Sequence, residues 1–120
     1  MAFTSENTEV YRTAASFGDR VAALTEGFPG NGSSLGHQLK HIAGSIEQRL
    51  AEASGHNVRT ERINCYMDAL KAVRKCVPLL AQARRQRLLD AANHAALRGE
   101  LDKIVKGLGA LAEVLEKKRT

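Results

Sequence analysis

At 120 residues and 13.0 kDa the chain is the size of one domain, long enough to bury a core without a disulfide or a structural metal. Aromatics are only 4% of it, with no Trp, and Ala and Leu dominate the 43% that is hydrophobic. This excludes an all-β sandwich or barrel, whose strands draw on β-branched and aromatic residues. The net charge of +5 and pI near 9.6 permit an anionic partner without requiring one.

The predicted elements are four helices. Met1 to Thr8 carries neither a basic nor an apolar run, so no secretory signal is expected there. The first helix, about 5–26, places Val10, Ala14, Phe17, Val21, Leu24 and Phe28 at alternating steps of four and three. Gly27 to Ser34 punctuates it, with serine hydroxyls available to cap the next helix. The second helix, about 34–53, carries Leu35, Leu39, Ile42, Ile46 and Leu50. Ser54-Gly55-His56-Asn57 ends it, Gly55 as a C′ residue and Asn57 as the next N-cap. The third helix, about 57–86, carries Ile63, Tyr66, Leu70, Val73, Val77 and Leu80, with Pro78 inside it to bend it. The fourth, about 90–117, is capped by Asp90 and carries Leu97, Leu101, Ile104, Leu108, Leu111 and Leu115. Such stripes put apolar side chains on one face of each helix. Short loops make consecutive helices neighbours, so the expected fold is all-α: one antiparallel up-down-up-down four-helix bundle spanning 1–120.

No uncharged stretch approaches the roughly 20 apolar residues of a membrane span. Cys65 and Cys76 lie about 16 Å apart along one helix, too far for a disulfide. Two reduced cysteines and no export signal place the expected protein in the cytoplasm, plausibly of a bacterium.

The third helix has a second stripe at the same spacing: Cys65, Ala69, Ala72, Cys76, Leu79 and Ala83. Two readings stand beside each other, a wide core face or an interface between subunits of a homo-oligomer. The charge is also concentrated there. Residues 59–87 hold eight basic and two acidic side chains, +6, whereas residues 1–58 carry −2 and residues 88–120 carry +1. Lys71, Arg74 and Lys75 cluster at i, i+3, i+4, and Arg84, Arg85 and Arg87 crowd the helix end. Lys40, His37 and His41 form a looser set on the second helix, and Lys117-Lys118-Arg119 a solvated tail. These cations suit a phosphate backbone, RNA or DNA; the competing reading is a solvated face that keeps the protein soluble. Phe3, Tyr11, Phe17, Phe28 and Tyr66 fall mostly on core stripes, so no base-stacking platform is expected.

Little supports catalysis. His37 and His41 are spaced to share a metal but have no third ligand, so neither a metal nor a cofactor is assigned. Cys65 and Cys76 read as small buried residues rather than nucleophiles. Glu52 stands as an isolated carboxylate, and no phosphate loop, HExxH or nucleophile triad occurs. The expectation is not an enzyme.

Three stretches resemble the four-helix bundle family of 23S rRNA-intervening sequence proteins, sometimes misnamed ribosomal protein S23. The first is Phe17-Gly18-Asp19-Arg20-Val21 with Leu24-Thr25 and Phe28-Pro29. The second is Leu35, Gln38-Leu39-Lys40-His41, Ala43, Ser45-Ile46, Ala51-Glu52 and Gly55, similar to the family's Q-I-R-R-A-A-x-S-I-x-x-N-I-A-E-G-x-G. The third is Glu61, Ile63, Ala69-Leu70, Lys106, Leu108 and Leu111. The resemblance covers about 10–115. Arg49 stands at the family's Asn, Ala53 at its Gly, Lys71-Ala72 at a frequent Gly-Ser, and Lys75 near a Glu, all but Ala53 adding charge. The resemblance implies a homo-oligomer, a five-membered ring, with no established activity. Some members are encoded within intervening sequences of 23S rRNA genes. A structurally similar group comprises retroelement accessory proteins that bind a reverse transcriptase and nucleic acid. The expected function is therefore a homo-oligomeric bundle binding nucleic acid through the third helix, the alternative a protein-interaction scaffold or accessory subunit.

Overall fold

The computed structural model describes residues 5–117, which form four α-helices: α1 (Ser5–Glu26), α2 (Ser33–Ser54), α3 (Arg59–Arg85) and α4 (Ala91–Lys117). No strand occurs among the described residues. The expected boundaries lie within two residues of these. Phe3 and the tail at Lys118 and Arg119 lie outside the described residues. None of the four helices is long and apolar enough to cross a membrane.

The helix ends differ from expectation in ways that follow from backbone hydrogen bonding. Asp90 does cap α4, its Oδ1 accepting from the Asn93 N–H at 2.7 Å. No serine caps α2. A single 3-10 turn at Gly30–Gly32 leads directly into it, and Ser33 Oγ donates back to the Gly30 carbonyl at 3.0 Å. Asn57 does not cap α3 either; the preceding residue is Val58 in an extended conformation. Gly55 ends α2 at φ −85°, so it is used as a right-handed C-cap rather than a left-handed C′ residue.

The left-handed residue is Arg87, at φ 61°. The Leu88 N–H donates to the Ala83 carbonyl at 2.9 Å and the Arg87 N–H to the Arg84 carbonyl at 3.1 Å. That pair of bonds is a Schellman motif, with arginine at the position usually held by glycine.

Each helix packs against two neighbours, in the order α1, α2, α3, α4 and back to α1, with α2 and α3 the most extensive pair. Along α1 and α2, Tyr11 meets Glu47 and Thr25 meets Gly36, so positions advance in opposite directions. Along α1 and α4, Val10 meets Gly107 while Ser16 and Arg20 both reach Glu100. A Cβ at Gly107 would overlap Val10, whose β-branched side chain has little freedom to move aside, so glycine sets how closely α1 and α4 approach. The core runs the length of the bundle through Phe17, Ile46, Tyr66, Leu80, Leu97 and Ile104. α3 continues unbroken through Pro78, which is exposed, so the carbonyl of Arg74 that loses its partner lies toward water.

The face that α3 buries corrects the interface reading. Cys65, Ala69, Cys76 and Ala83 are at most 5% exposed and Ala72 is 8% exposed within a single chain. Only Leu79 of that set is half-buried. Area already spent inside the bundle is not free to cover a partner, so the second stripe is part of a wide core face. α2, the helix most extensively packed against α3, buries small residues of its own, Ala43 and Ala53, among Leu39, Ile46 and Leu50. Ile63, Leu70 and Val77, read from sequence as core, are instead only half-buried.

Candidate functional site

Lys71, Arg74, Lys75, Arg84, Arg85 and Arg87 are all exposed. They do not form one surface. Lys71 and Lys75 line an open cleft of about 340 Å³ between α2 and α3. α2 contributes His41, Ile42, Ser45 and Arg49 to it, and α3 adds Asp68 and Ala72. Arg74 is not among the lining residues. Arg84 and Arg85 occupy the last turn of α3, about 15 Å beyond Lys75 along the axis, and Arg87 follows in the left-handed turn. The structure thus splits the sequence cluster into a two-helix cleft and a basic helix end.

The cleft's cations are Lys71, Lys75 and Arg49, and His41 adds an imidazole to the lining. Arg49 is shared: its Nη1 lies 2.7 Å from Glu52 Oε2. Asp68 is the one carboxylate lining the cleft. Sequence reading found the lysines from i, i+4 spacing on one helix. It missed Arg49 and separated His41 from them, because only tertiary packing brings α2 beside α3.

No described aromatic side chain is exposed: Phe17 and Tyr66 are buried, Tyr11 and Phe28 half-buried. Tyr11 donates its hydroxyl to Glu47 Oε1 at 3.3 Å, and the Glu47 charge, with burial and that hydrogen bond behind it, raises its pKa. The cleft therefore offers charge and hydrogen bonds to a ligand, not a stacking surface.

His37 and His41 serve different surroundings. His37 lines a cleft with Thr25, Phe28 and Lys40 at the α1–α2 turn, while His41 lines the α2–α3 cleft. No described third ligand joins them. Cys76 is fully buried, and burial pushes its thiol up to about 12, so its adjacency to Lys75 does not activate it.

A polar corner where α2 ends and α3 begins was not anticipated. Glu52, His56 and Cys65 present donor atoms within 4.8 Å of one another. His56 Nδ1 lies 3.0 Å from Glu61 Oε2, and its Nε2 lies 3.9 Å from Glu52 Oε1. Glu52 is thus not isolated. The legible signal was Glu52 and His56 four apart across a helix end, and Glu61 and Cys65 four apart on the next.

A third feature is an apolar groove of about 180 Å³ between α3 and α4, lined by Tyr66, Met67, Leu70, Val105, Leu108, Gly109 and Ala112. Met67 and Val105 are exposed there.

The model of the family described as 23S rRNA-intervening sequence protein matches residues 6–110. No curated protein matches the sequence. Among solved structures, the chain is similar to a protein of unknown function from the S23 ribosomal protein family of Bacteroides thetaiotaomicron VPI-5482. The TM-score is 0.83 at 18% identity, covering 90% of this chain and 98% of that one.

Proposed function

The chain belongs to the 23S rRNA-intervening sequence protein family, and from that premise we propose that it is a non-enzymatic bundle that binds the nucleic-acid backbone in the α2–α3 cleft. The observation that carries this reading is the meeting of Lys71 and Lys75 with Arg49 and His41 across two helices. One phosphate can be held between cations on both walls, and the basic end at Arg84, Arg85 and Arg87 extends the track toward the next phosphates. The lack of an exposed described aromatic fits binding by charge rather than by base readout.

Copies of the chain associate through the α3–α4 groove, where Met67 and Val105 expose apolar surface. A ring, five-membered as the resemblance implies, multiplies the basic clefts and raises affinity for a long polyanion.

The test is a titration of labelled RNA and DNA oligomers against salt. Binding should weaken as salt rises, and Lys71→Glu with Lys75→Glu should flatten the slope on duplex DNA by about 0.9 for each phosphate no longer neutralised. No binding at about 50 mM salt, or affinity indifferent to salt, refutes the reading. Partners that survive nuclease in a pull-down would favour a protein scaffold instead.

A further inference from the structure

We propose that the α2–α3 corner is a divalent transition-metal site of the zinc class, held by Glu52, His56 and Cys65. A tetrahedral ion with ligand bonds of about 2.0–2.3 Å needs donor atoms roughly 3.3–3.8 Å apart. The three donors here already lie within 4.8 Å of one another, so side-chain rotations of about an ångström close the site. Glu52 is exposed and His56 half-buried, both beside the α2 terminus, where such adjustment disturbs no core packing. Cys65 sits beneath them, 5% exposed, as the fixed point of the site.

A second observation concerns the histidine. Glu61 Oε2 lies 3.0 Å from His56 Nδ1, so a carboxylate stands behind the imidazole while Nε2 is the ring nitrogen near Glu52, 3.9 Å from its Oε1. A carboxylate behind the imidazole is the arrangement that orients metal-bound histidines and raises their basicity. It is made here by His56 in the loop 55–58 and Glu61 in the first turn of α3.

The charge also closes. A carboxylate and a thiolate neutralise a divalent cation, the neutral imidazole adds none, and the fourth position is open to water. Arg49 pairs with Glu52 Oε2 and leaves Oε1, on the side of His56 Nε2, to coordinate. Asp68 and Glu61 lie close enough to act on the Cys65 thiol and make its surroundings acidic. Coordination by sulfur releases the thiol proton to solvent as the sulfur–metal bond forms.

The site differs in residues and place from the nucleic-acid cleft, sharing with it only Arg49 through its ion pair. The test uses the full chain, reduced and stripped with a chelator, then titrated with zinc chloride and, as a spectroscopic probe, cobalt chloride. The expected result is one ion per chain, with a thiolate-to-cobalt charge-transfer absorption and release of protons. Cys65→Ala should abolish that absorption, and Cys76→Ala should retain it. Glu61→Gln should weaken zinc binding about 10–100-fold while leaving the stoichiometry at one. Absence of the charge-transfer band in the unaltered chain overturns the proposal without reliance on any variant. So does a band that persists in Cys65→Ala. A circular dichroism spectrum of each variant separates failure to ligate from failure to fold.

Discussion

At the scale of single residues, Arg87 shows stability given up for charge. The Schellman turn after α3 requires a left-handed residue, and φ 61° is unfavourable for any side chain with a Cβ. Both of the turn's carbonyl bonds form regardless, so the strain is local and is met by the packing around Leu88, which lies against the core and against Gly32. Arg87→Gly should stabilise the fold by about 1 kcal/mol, read from urea unfolding, and at the same time weaken polyanion binding. A stabilised variant with undiminished binding would show that the arginine has no part in the basic track. Cys76 gives a pH dependence of definite sign. The unfolded thiol ionises near the ordinary 9.0, while the folded one holds its proton to about 12. The unfolded state therefore binds fewer protons in that window, and stability present below pH 9.0 is lost as pH rises toward 12. The loss attributable to this thiol is about 4 kcal/mol at full ionisation. Unfolding curves at rising pH should show a shallower decline for Cys76→Ala than for the unaltered chain.

At the scale of elements, α3 decides how the bundle is built. It buries side chains from both of its apolar stripes, Tyr66, Val73 and Leu80 from one and Cys65, Ala69, Ala72, Cys76 and Ala83 from the other. Ile63, Leu70 and Val77 are left half-buried at the flank, where Leu70 lines the groove toward α4. Substitutions on the two faces should separate cleanly. Ala69 is fully buried, so Ala69→Glu places an unpaired carboxylate in the core and costs several kcal/mol, enough to unfold much of the population. Met67 is exposed, so Met67→Glu should change monomer stability by less than about 0.5 kcal/mol while lowering the associated fraction in light scattering. The opposite pattern, a folded but dissociated Ala69→Glu, would restore the small-residue stripe as the interface.

The same helix explains what the sequence made legible. Apolar period together with the Gly, Ser and Asp punctuation between the stripes located α1 to α4 within two residues, because the spacing of each stripe depends only on helix geometry. Period does not say how much of each of two stripes is buried; that depends on the neighbouring helices. The site follows the same division. Lys71 and Lys75 were visible as an i, i+4 pair, but Arg49 and His41 join them only once α2 lies alongside. Glu52, His56, Glu61 and Cys65 were not brought together, since Gly55 and Asn57 marked a loop from sequence but not how it folds α3 back on α2.

At the scale of the molecule, the described residues extend 51 × 21 × 19 Å, a rod whose charge is uneven. The +6 of residues 59–87 lies on α3 or just after it, and α3 also forms one wall of the apolar groove. The association proposed through that groove would bring copies of α3, and with them like charge, closer together. The repulsion is screened over about 10 Å at 0.1 M salt but reaches about 30 Å at 0.01 M. The mean mass from light scattering should therefore fall toward 13.0 kDa as salt is lowered. A short polyanion added at the same low salt should raise it again, because neutralising the clefts removes the repulsion and leaves the apolar contact intact. By linkage, the associated form must then bind the polyanion more tightly than the monomer does. Arg84→Glu with Arg85→Glu, remote from the groove's lining, should make assembly less salt-dependent and less responsive to the polyanion. A mass that rises as salt is lowered would mean that opposite charges, not apolar surface, hold the copies together, and would move the interface away from the α3–α4 groove.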